Sequence, residues 1–430
     1  MKRLFKRGVA RNTAWMFLGQ GLRLAIQAGY FTLIARCLGT TNYGAFVGVV
    51  ALVAIAVPFG PLGSGIILIK NVSRDSSLFP IYWGRALLTT AVCSAILFAA
   101  VMFVAHFFLP AAIPLRLVVL VASSDLFGLS LTMMCGQAFQ AFEKLNWTAT
   151  IHVLLSGSRL CGAIVLVSIH RHPSALQWGY LYFYSTVAVL VAAVVLVSLK
   201  LGRPVFNWKR SYAELREGFY FSAGLSAQTI YNDIDKTMLA RLGTLDATGI
   251  YGAAYRLIDV SFVPLSSLLA AALPVFFQKG SDGIASSVRY AKRLLVRALG
   301  YAALACCCLL LFAGIVPHII GPEYTRTVEA LRWLSLLPVL KALHYYFSDA
   351  LSGAGYQAVR MCIQVAVAIF NVLINFWLIP AYSWRGAAWS SLASDGLLAL
   401  GIGTAVFVLC RRSQRSDSRI CKSAGAVTQA

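Results

Sequence analysis

The chain has 430 residues, of which 59% are hydrophobic and only 12% charged, with a mean hydropathy of +0.75. Soluble domains carry about 25% charged residues, so charge this sparse excludes a water-facing surface and defines an integral membrane protein. The net charge is +22, from 37 Lys and Arg against 15 Asp and Glu; its meaning depends on where along the chain those residues fall.

A helix crosses a ~30 Å hydrocarbon core in roughly 20 apolar residues, and the apolar runs predict twelve such spans. The first, 12–36, follows the basic start "MKRLFKR" and is interrupted by Arg23. It is too long for a signal-peptide core, no A-x-A-like site follows, and an uncleaved span is expected. Spans at 43–69, 82–108, 114–141, 146–169 and 178–200 complete a first set of six. After "RPVFNWKRSYAE" come 216–241, 248–278, 294–317, 328–352, 357–379 and 386–410. The segments are apolar on all faces, as lipid-embedded helices are, and lack the alternation of a membrane β-barrel. The fold class expected is therefore all-α, with about twelve transmembrane helices.

Lys and Arg set the orientation. If the N-terminus is cytoplasmic, basic residues concentrate in the cytoplasmic segments: Lys2 to Arg11, Lys200 to Arg216, Lys279 to Arg297, and Arg411 to Lys422. The outer loops hold few, such as Arg36, Arg116 and Arg385. Both termini are expected in the cytoplasm. The basicity reports topology and contact with anionic headgroups, not nucleic-acid binding. The ten cysteines lie mostly inside apolar segments without metal-ligand spacing and read as small packing residues.

An internal repeat joins "TLIARCLGTTNYGAF" at 32–46 to "TMLARLGTLDATGIYGAAY" at 237–255. Arg36 matches Arg241, Tyr43-Gly44 matches Tyr251-Gly252, and Pro58 matches Pro264. Two six-helix lobes follow, 1–203 and 216–411, joined by a cytoplasmic linker at 204–215, with a disordered cytoplasmic tail at 412–430. Six is even, so the lobes share one orientation. Their pseudo-two-fold axis is expected along the membrane normal, with a binding site near the midplane.

An ionised group at the bilayer centre costs about 2.5–3.5 kcal/mol on insertion scales and marks a functional position by default. The spans contain the cations Arg23, Arg159, Lys236, Arg256 and Lys341, and the acids Asp125, Asp233, Asp235, Asp259, Asp349 and Asp395. Helical spacing sorts them. Gln20, Arg23 and Gln27 form one stripe on the first span; Gln228, Asn232 and Asp235 form another on the seventh. Asp233 can pair with Lys236, and Arg256 with Asp259, each at i, i+3. The second of these pairs suits helix packing and function equally. Lys341, His344 and Ser348 share a face of the tenth span; Gln364, Asn371 and Asn375 share one of the eleventh. Interhelical hydrogen bonding would also account for the amide stripes. His152 and His344 read as interhelical hydrogen-bonders, and Asp125 and Asp395 as helix-end residues. No P-loop or H-E-x-x-H motif is present, and the loops are too short for a catalytic domain. No catalytic residue, metal site or cofactor is expected, and the protein is not read as an enzyme.

The stretch "RNTAWMFLGQGLRLAIQAGYFTLIARCLGTTNYGAF" resembles the opening of Wzx-type oligosaccharide flippases, the polysaccharide transporter family of the MOP exporter superfamily. Asn12, Trp15, Gly19-Gln20, Ala35-Arg36, Leu38-Gly39 and Tyr43-Gly44 carry the likeness. "LGSGIILIKNVSRD", "YNDIDKTMLARLG" and "GIYGAAYRL" resemble later parts of the same family. The resemblance implies a MOP/MATE-like pair of lobes in the bacterial inner membrane. It also implies alternating access that carries an undecaprenyl-diphosphate-linked repeat unit to the periplasmic leaflet. Arg23, Arg159, Lys236, Arg256 and Lys341 would then hold the cargo, and Asp233, Asp235, Asp259 and Asp349 would couple H⁺ or Na⁺. Gln20, Gln27, Gln228, Asn232 and Asn371 would line the cavity. Expected partners are the lipid-linked oligosaccharide and membrane lipids, with a polymerase and a chain-length regulator beyond them; a monomer is expected. The competing reading is a cation-coupled multidrug antiporter of the same superfamily.

Overall fold

The computed structural model describes residues 2–73, 75–170, 172–206 and 212–427. Side chains before residue 21, after residue 413, and at 212–215, 217, 220, 221, 270, 271, 273 and 274 lie outside the description. Helices occupy all twelve expected positions. In chain order they are α1 (Lys2–Ala56), α2 (Ser64–Val72), α3 (Phe79–Phe108), α4 (Leu115–Ala122), α5 (Ser130–Ala141), α6 (Leu145–Ile169), α7 (Ala175–Lys200) and α8 (Tyr212–Leu242). Then follow α9 (Leu245–Ser281), α10 (Ile284–Phe312), α11 (Val316–Ile320), α12 (Thr327–Leu334), α13 (Leu337–Gly353), α14 (Gln357–Tyr382) and α15 (Trp384–Val427). Among the described residues, eight stretches are long and apolar enough to cross a membrane. One of them, Gly21–Phe59, covers two expected spans because α1 runs unbroken through a kink.

That kink is Gly39, at φ 65° and ψ 175°. Only glycine enters this region without strain, so the first and second expected spans meet at a corner rather than across a loop. The fourth expected span also departs from uniform α-helix. Between α4 and α5, Ser123–Leu129 forms a π-helical segment, a local widening that recurs at functional positions in helices. Helix α15 continues to Val427, into the stretch expected as a disordered tail. No Pro or Gly interrupts residues 411–424, so nothing local stops the helix where the apolar run ends.

The chain forms two compact units. The first comprises Met1–Ile250 with His318–Tyr324, and the second Tyr251–Pro317 with Thr325–Ala430. This division does not coincide with the 204–215 linker, because α8 packs along α1. The Ser226 hydroxyl donates to the Ile55 carbonyl at 2.7 Å, and Thr237 to the Gly48 carbonyl at 3.2 Å. A core of the first unit gathers Phe79, Trp83, Met134, Phe139, Ile151 and Val197 from α3, α5, α6 and α7. Phe79 stacks on Trp83 with centroids 6.0 Å apart, and Phe139 on Trp147 at 6.0 Å.

The segment His318–Tyr324 joins the first unit although its chain neighbours belong to the second. The buried Tyr324 hydroxyl donates to the Ala35 carbonyl at 3.0 Å, and its ring meets Tyr43 edge-on at 6.5 Å. Beside it the Thr40 hydroxyl bonds Asp246. Each contact satisfies polar backbone or side-chain groups close to the Gly39 kink.

In the second unit the core is built on small residues. Ala291, Ala298 and Ala302 of α10 share a cluster with Ala342, Tyr346, Ala350 and Leu351 of α13. Small side chains let membrane helices approach closely, which drives their association where lipid removes the hydrophobic incentive. The Ser287 hydroxyl adds a bond to the Ala350 carbonyl at 3.1 Å.

Candidate functional site

Each unit holds its own set of buried polar groups. In the first, Arg159 of α6 meets Asp125 of the π-helical segment with Nη2 3.6 Å from Oδ1. Its guanidinium lies over the Tyr182 ring of α7 at 4.0 Å, and Nη2 reaches the Thr186 hydroxyl at 3.5 Å. The Tyr182 hydroxyl donates to the same Asp125 oxygen at 2.8 Å, and Ser124 donates to Thr186 at 2.9 Å. Asp125 is 3% exposed, so its carboxylate exchanges water for a cation and a phenol, while the Tyr182 ring covers the guanidinium. Three helical elements converge here because each supplies one part of that exchange.

Arg23 of α1 sits elsewhere in this unit, half-buried, with Nη1 3.5 Å from His152 Nδ1 of α6. Gln27, one turn further, is also half-buried, whereas Gln20 lies outside the described residues.

On α8 the i, i+3 pair forms. Lys236 Nζ bonds the Asp233 carboxylate and approaches the Asn232 carbonyl at 3.4 Å. Lys236 is buried, while Asp233 is half-exposed, so the lysine reaches its carboxylate from inside the packed face. Asp235 points the other way and is fully buried; its Oδ1 accepts from the Lys236 backbone N–H at 2.8 Å. Gln228 and Asn232 are half-buried, and the Asn232 amide donates to the Gln228 carbonyl at 3.0 Å. The stripe therefore divides: the Asn232 amide bonds its own helix turn, and Asp235 is sealed inside.

In the second unit, Lys341 of α13 is 4% exposed and donates from Nζ to the Tyr255 hydroxyl of α9 at 3.2 Å. The ammonium also faces the Tyr255 and Phe262 rings at 4.9 and 5.9 Å. Arg256 and Asp259 are half-buried on the following turns of α9. Asp349 binds Arg360 of α14 at 3.2 Å, and Arg360 also donates to Ser352 at 2.9 Å. This acid thus pairs with a cation of the neighbouring helix.

Two further arrangements tie α13, α14 and α15 together. His344 Nε2 lies 2.8 Å from Asp395 Oδ1, both buried. Asn371, fully buried, donates to Ser394 at 3.0 Å and accepts from Asn375 at 3.0 Å; Ser390 donates to Asn375 at 2.6 Å. Asn371 therefore belongs to a ladder between α14 and α15, the interhelical bonding that its stripe also allowed. Sequence reasoning set Asp125 and Asp395 aside as helix-end residues. No spacing rule links Asp125 to Arg159 or His344 to Asp395, since each pair spans separate helices. The one signal available was charge complementarity among the intramembrane ions.

The fold these helices make is similar to that of solved membrane transporters. A multidrug resistance MATE family transporter of the MOP superfamily, in its inward-facing conformation, aligns with TM-score 0.73 and 14% identity over 91% of this chain and 98% of its own. The lipid II flippase MurJ, in an inward closed conformation, aligns with TM-score 0.73 and 12% identity over 92% of this chain and 87% of its own. A MOP superfamily transporter from Pyrococcus furiosus aligns with TM-score 0.64 and 14% identity over 94% and 96%. At these identities the likeness is one of fold. No curated protein matches the sequence. The family model described as polysaccharide biosynthesis protein matches residues 9–279, and the chain belongs to that family.

Proposed function

We propose that this protein is a flippase for lipid-linked oligosaccharides. It would carry an undecaprenyl-diphosphate-linked repeat unit from the cytoplasmic to the periplasmic leaflet of the bacterial inner membrane for surface polysaccharide synthesis: O-antigen, capsule or exopolysaccharide. The observation that carries this reading is membership of the polysaccharide biosynthesis family over residues 9–279 in a chain with the MOP transporter fold. Arg23, Arg159, Lys236, Arg256 and Lys341 are the cations offered to the cargo. Asp233, Asp235, Asp259 and Asp349 are the acids offered to a coupling H⁺ or Na⁺. The lobes 1–203 and 216–411, related by the internal repeat, would alternate access with both termini in the cytoplasm. The protein would act as a monomer beside a polymerase and a chain-length regulator.

A strain lacking the gene should accumulate the lipid-linked repeat on the cytoplasmic side and lose its surface polysaccharide. An unchanged surface glycan, with no redundant gene, would overturn the reading. The MATE fold neighbour supports a second reading, a cation-coupled multidrug antiporter. Under that reading overexpression would raise organic-cation efflux while the glycan stayed intact.

A further inference from the structure

An open groove of about 580 Å³ runs between α14 and α15 in the second unit. Val359 lines it from α14, and Leu397, Gly401, Thr404, Ala405 and Arg412 line it from α15. None of these residues belongs to the sets offered above to cargo or coupling ion. The α15 residues recur at steps of three and four and so share one helix face. From Leu397 to Arg412 that face is about 22 Å long. One leaflet of a bilayer, headgroups included, is also about 20–22 Å thick.

Small residues make the recess. A Cβ added to Gly401 would stand 3.0 Å from Ile363 Cγ2 of α14, so the two helices approach closely there, and Ala405 keeps the recess open one turn further. The Thr404 hydroxyl donates to the Leu400 carbonyl at 2.6 Å. The one hydroxyl among the lining residues is thus satisfied by its own helix and asks nothing of a ligand. The groove is apolar along its length and cationic at one end. Arg412 is exposed at that end, and beside it the Arg411 guanidinium lies 4.3 Å from the Phe407 ring. No Asp or Glu occurs in Gln357–Tyr382 or from 396 to 413, so neither helix sets a carboxylate against these cations. The distribution of Lys and Arg along the chain assigns this end to the cytoplasmic side.

We propose that this groove is a binding site for one anionic phospholipid of the surrounding bilayer. The acyl chain would lie along α15 over Gly401 and Ala405, and the phosphate would meet Arg411 and Arg412. What selects this occupant is an apolar recess one leaflet long that ends on two guanidiniums with no acid beside them. Arginine suits phosphate because its planar fork donates two hydrogen bonds at once. A zwitterionic headgroup would bring a further positive charge against the pair. An arginine that only snorkels toward headgroups needs no recess beneath it. The site goes beyond the flippase reading and needs no cargo.

The test titrates the full-length protein in detergent with phosphatidylglycerol, or with phosphatidylcholine of the same acyl chains, and counts bound lipid by native mass spectrometry. Wild type should hold one phosphatidylglycerol more tightly than any phosphatidylcholine. Arg411→Gln and Arg412→Gln should each weaken phosphatidylglycerol about five-fold and leave phosphatidylcholine unchanged. Thr404→Trp, which fills the recess, should remove the tight site. Leu373→Trp, at an exposed position of α14 outside the groove, should keep it. Equal binding of the two lipids by wild type overturns the proposal. So does undiminished phosphatidylglycerol binding in a folded Thr404→Trp variant, or an equal loss in Leu373→Trp. Should Thr404→Trp not fold, the arginine variants decide alone.

Undecaprenyl phosphate is the last probe. If it displaces phosphatidylglycerol at equal concentration, the groove belongs to a polyprenyl chain and the phospholipid site is overturned; retention of phosphatidylglycerol supports it. Transport is not read in this experiment, so failure of the lipid site leaves the flippase reading standing, and the reverse holds as well.

Discussion

Arg159 and Asp125 face each other at 3.6 Å between α6 and the π-helical segment, with Tyr182 contacting both. Removing one partner of a buried pair leaves an uncompensated charge, at about 3–5 kcal/mol, whereas replacing both can be nearly neutral. Asp125→Asn and Arg159→Gln should therefore each lower thermal stability in detergent strongly. The double variant should recover much of the loss. Additive losses in that cycle would show that the two residues do not depend on each other.

Gly39 should not tolerate a side chain. Its backbone conformation alone costs a substituted residue about 1–3 kcal/mol, and an added Cβ would also run into the Glu323 carboxylate. Gly283, at φ 101° with open space around it, isolates the backbone cost. Unfolding temperatures should fall further for Gly39→Ala than for Gly283→Ala, and equal shifts would remove the Glu323 contact from the account.

Asp233 and Asp235 differ in what they touch, so their variants should differ in kind. Asp233→Asn takes the carboxylate from Lys236 and should reduce the amount of folded protein. Asp235→Asn keeps an acceptor for the Lys236 backbone N–H and should impair transport at unchanged protein level. Immunoblotting and complementation of a deletion strain separate the outcomes. Loss of folded Asp235→Asn protein would assign that acid a structural role.

The ladder of Asn371, Asn375, Ser390 and Ser394 should contribute modestly. Interhelical hydrogen bonds in membranes average about 0.6 kcal/mol in double-mutant cycles. An Asn375→Ala and Ser390→Ala cycle should give a coupling of that order. A coupling near zero would reduce the ladder to shape complementarity.

The helices were readable because lipid demands long apolar runs, although α1, α10 and α15 extend well past the runs that announced them. Pairs on one helix were readable too: Asp233 with Lys236 follows from 3.6-residue periodicity. Lys341, His344 and Ser348 were grouped by the same rule, and all three are buried. What periodicity cannot supply is the partner on another helix. Gln364, Asn371 and Asn375 share a face whether they line water or meet serines, and only the position of α15 decides between the two. Asp125 met Arg159 through a π-helical turn that no residue pattern announced. The corner at Gly39 was hidden for the opposite reason: glycine there looked like an ordinary loop residue between two spans.

Tyr324 and Ala35 are 289 residues apart in the chain, yet share a hydrogen bond in the first unit. Synthesis at about 5–20 residues per second puts roughly 15–60 s between the emergence of the two. The first six spans are completed before that interval ends, while the contact of Tyr324 beside Gly39 comes later. The first unit therefore cannot reach its final form until 318–324 have followed the second unit's first stretch, 251–317, out of the ribosome, and a ribosome stalled before residue 324 would leave it unclasped.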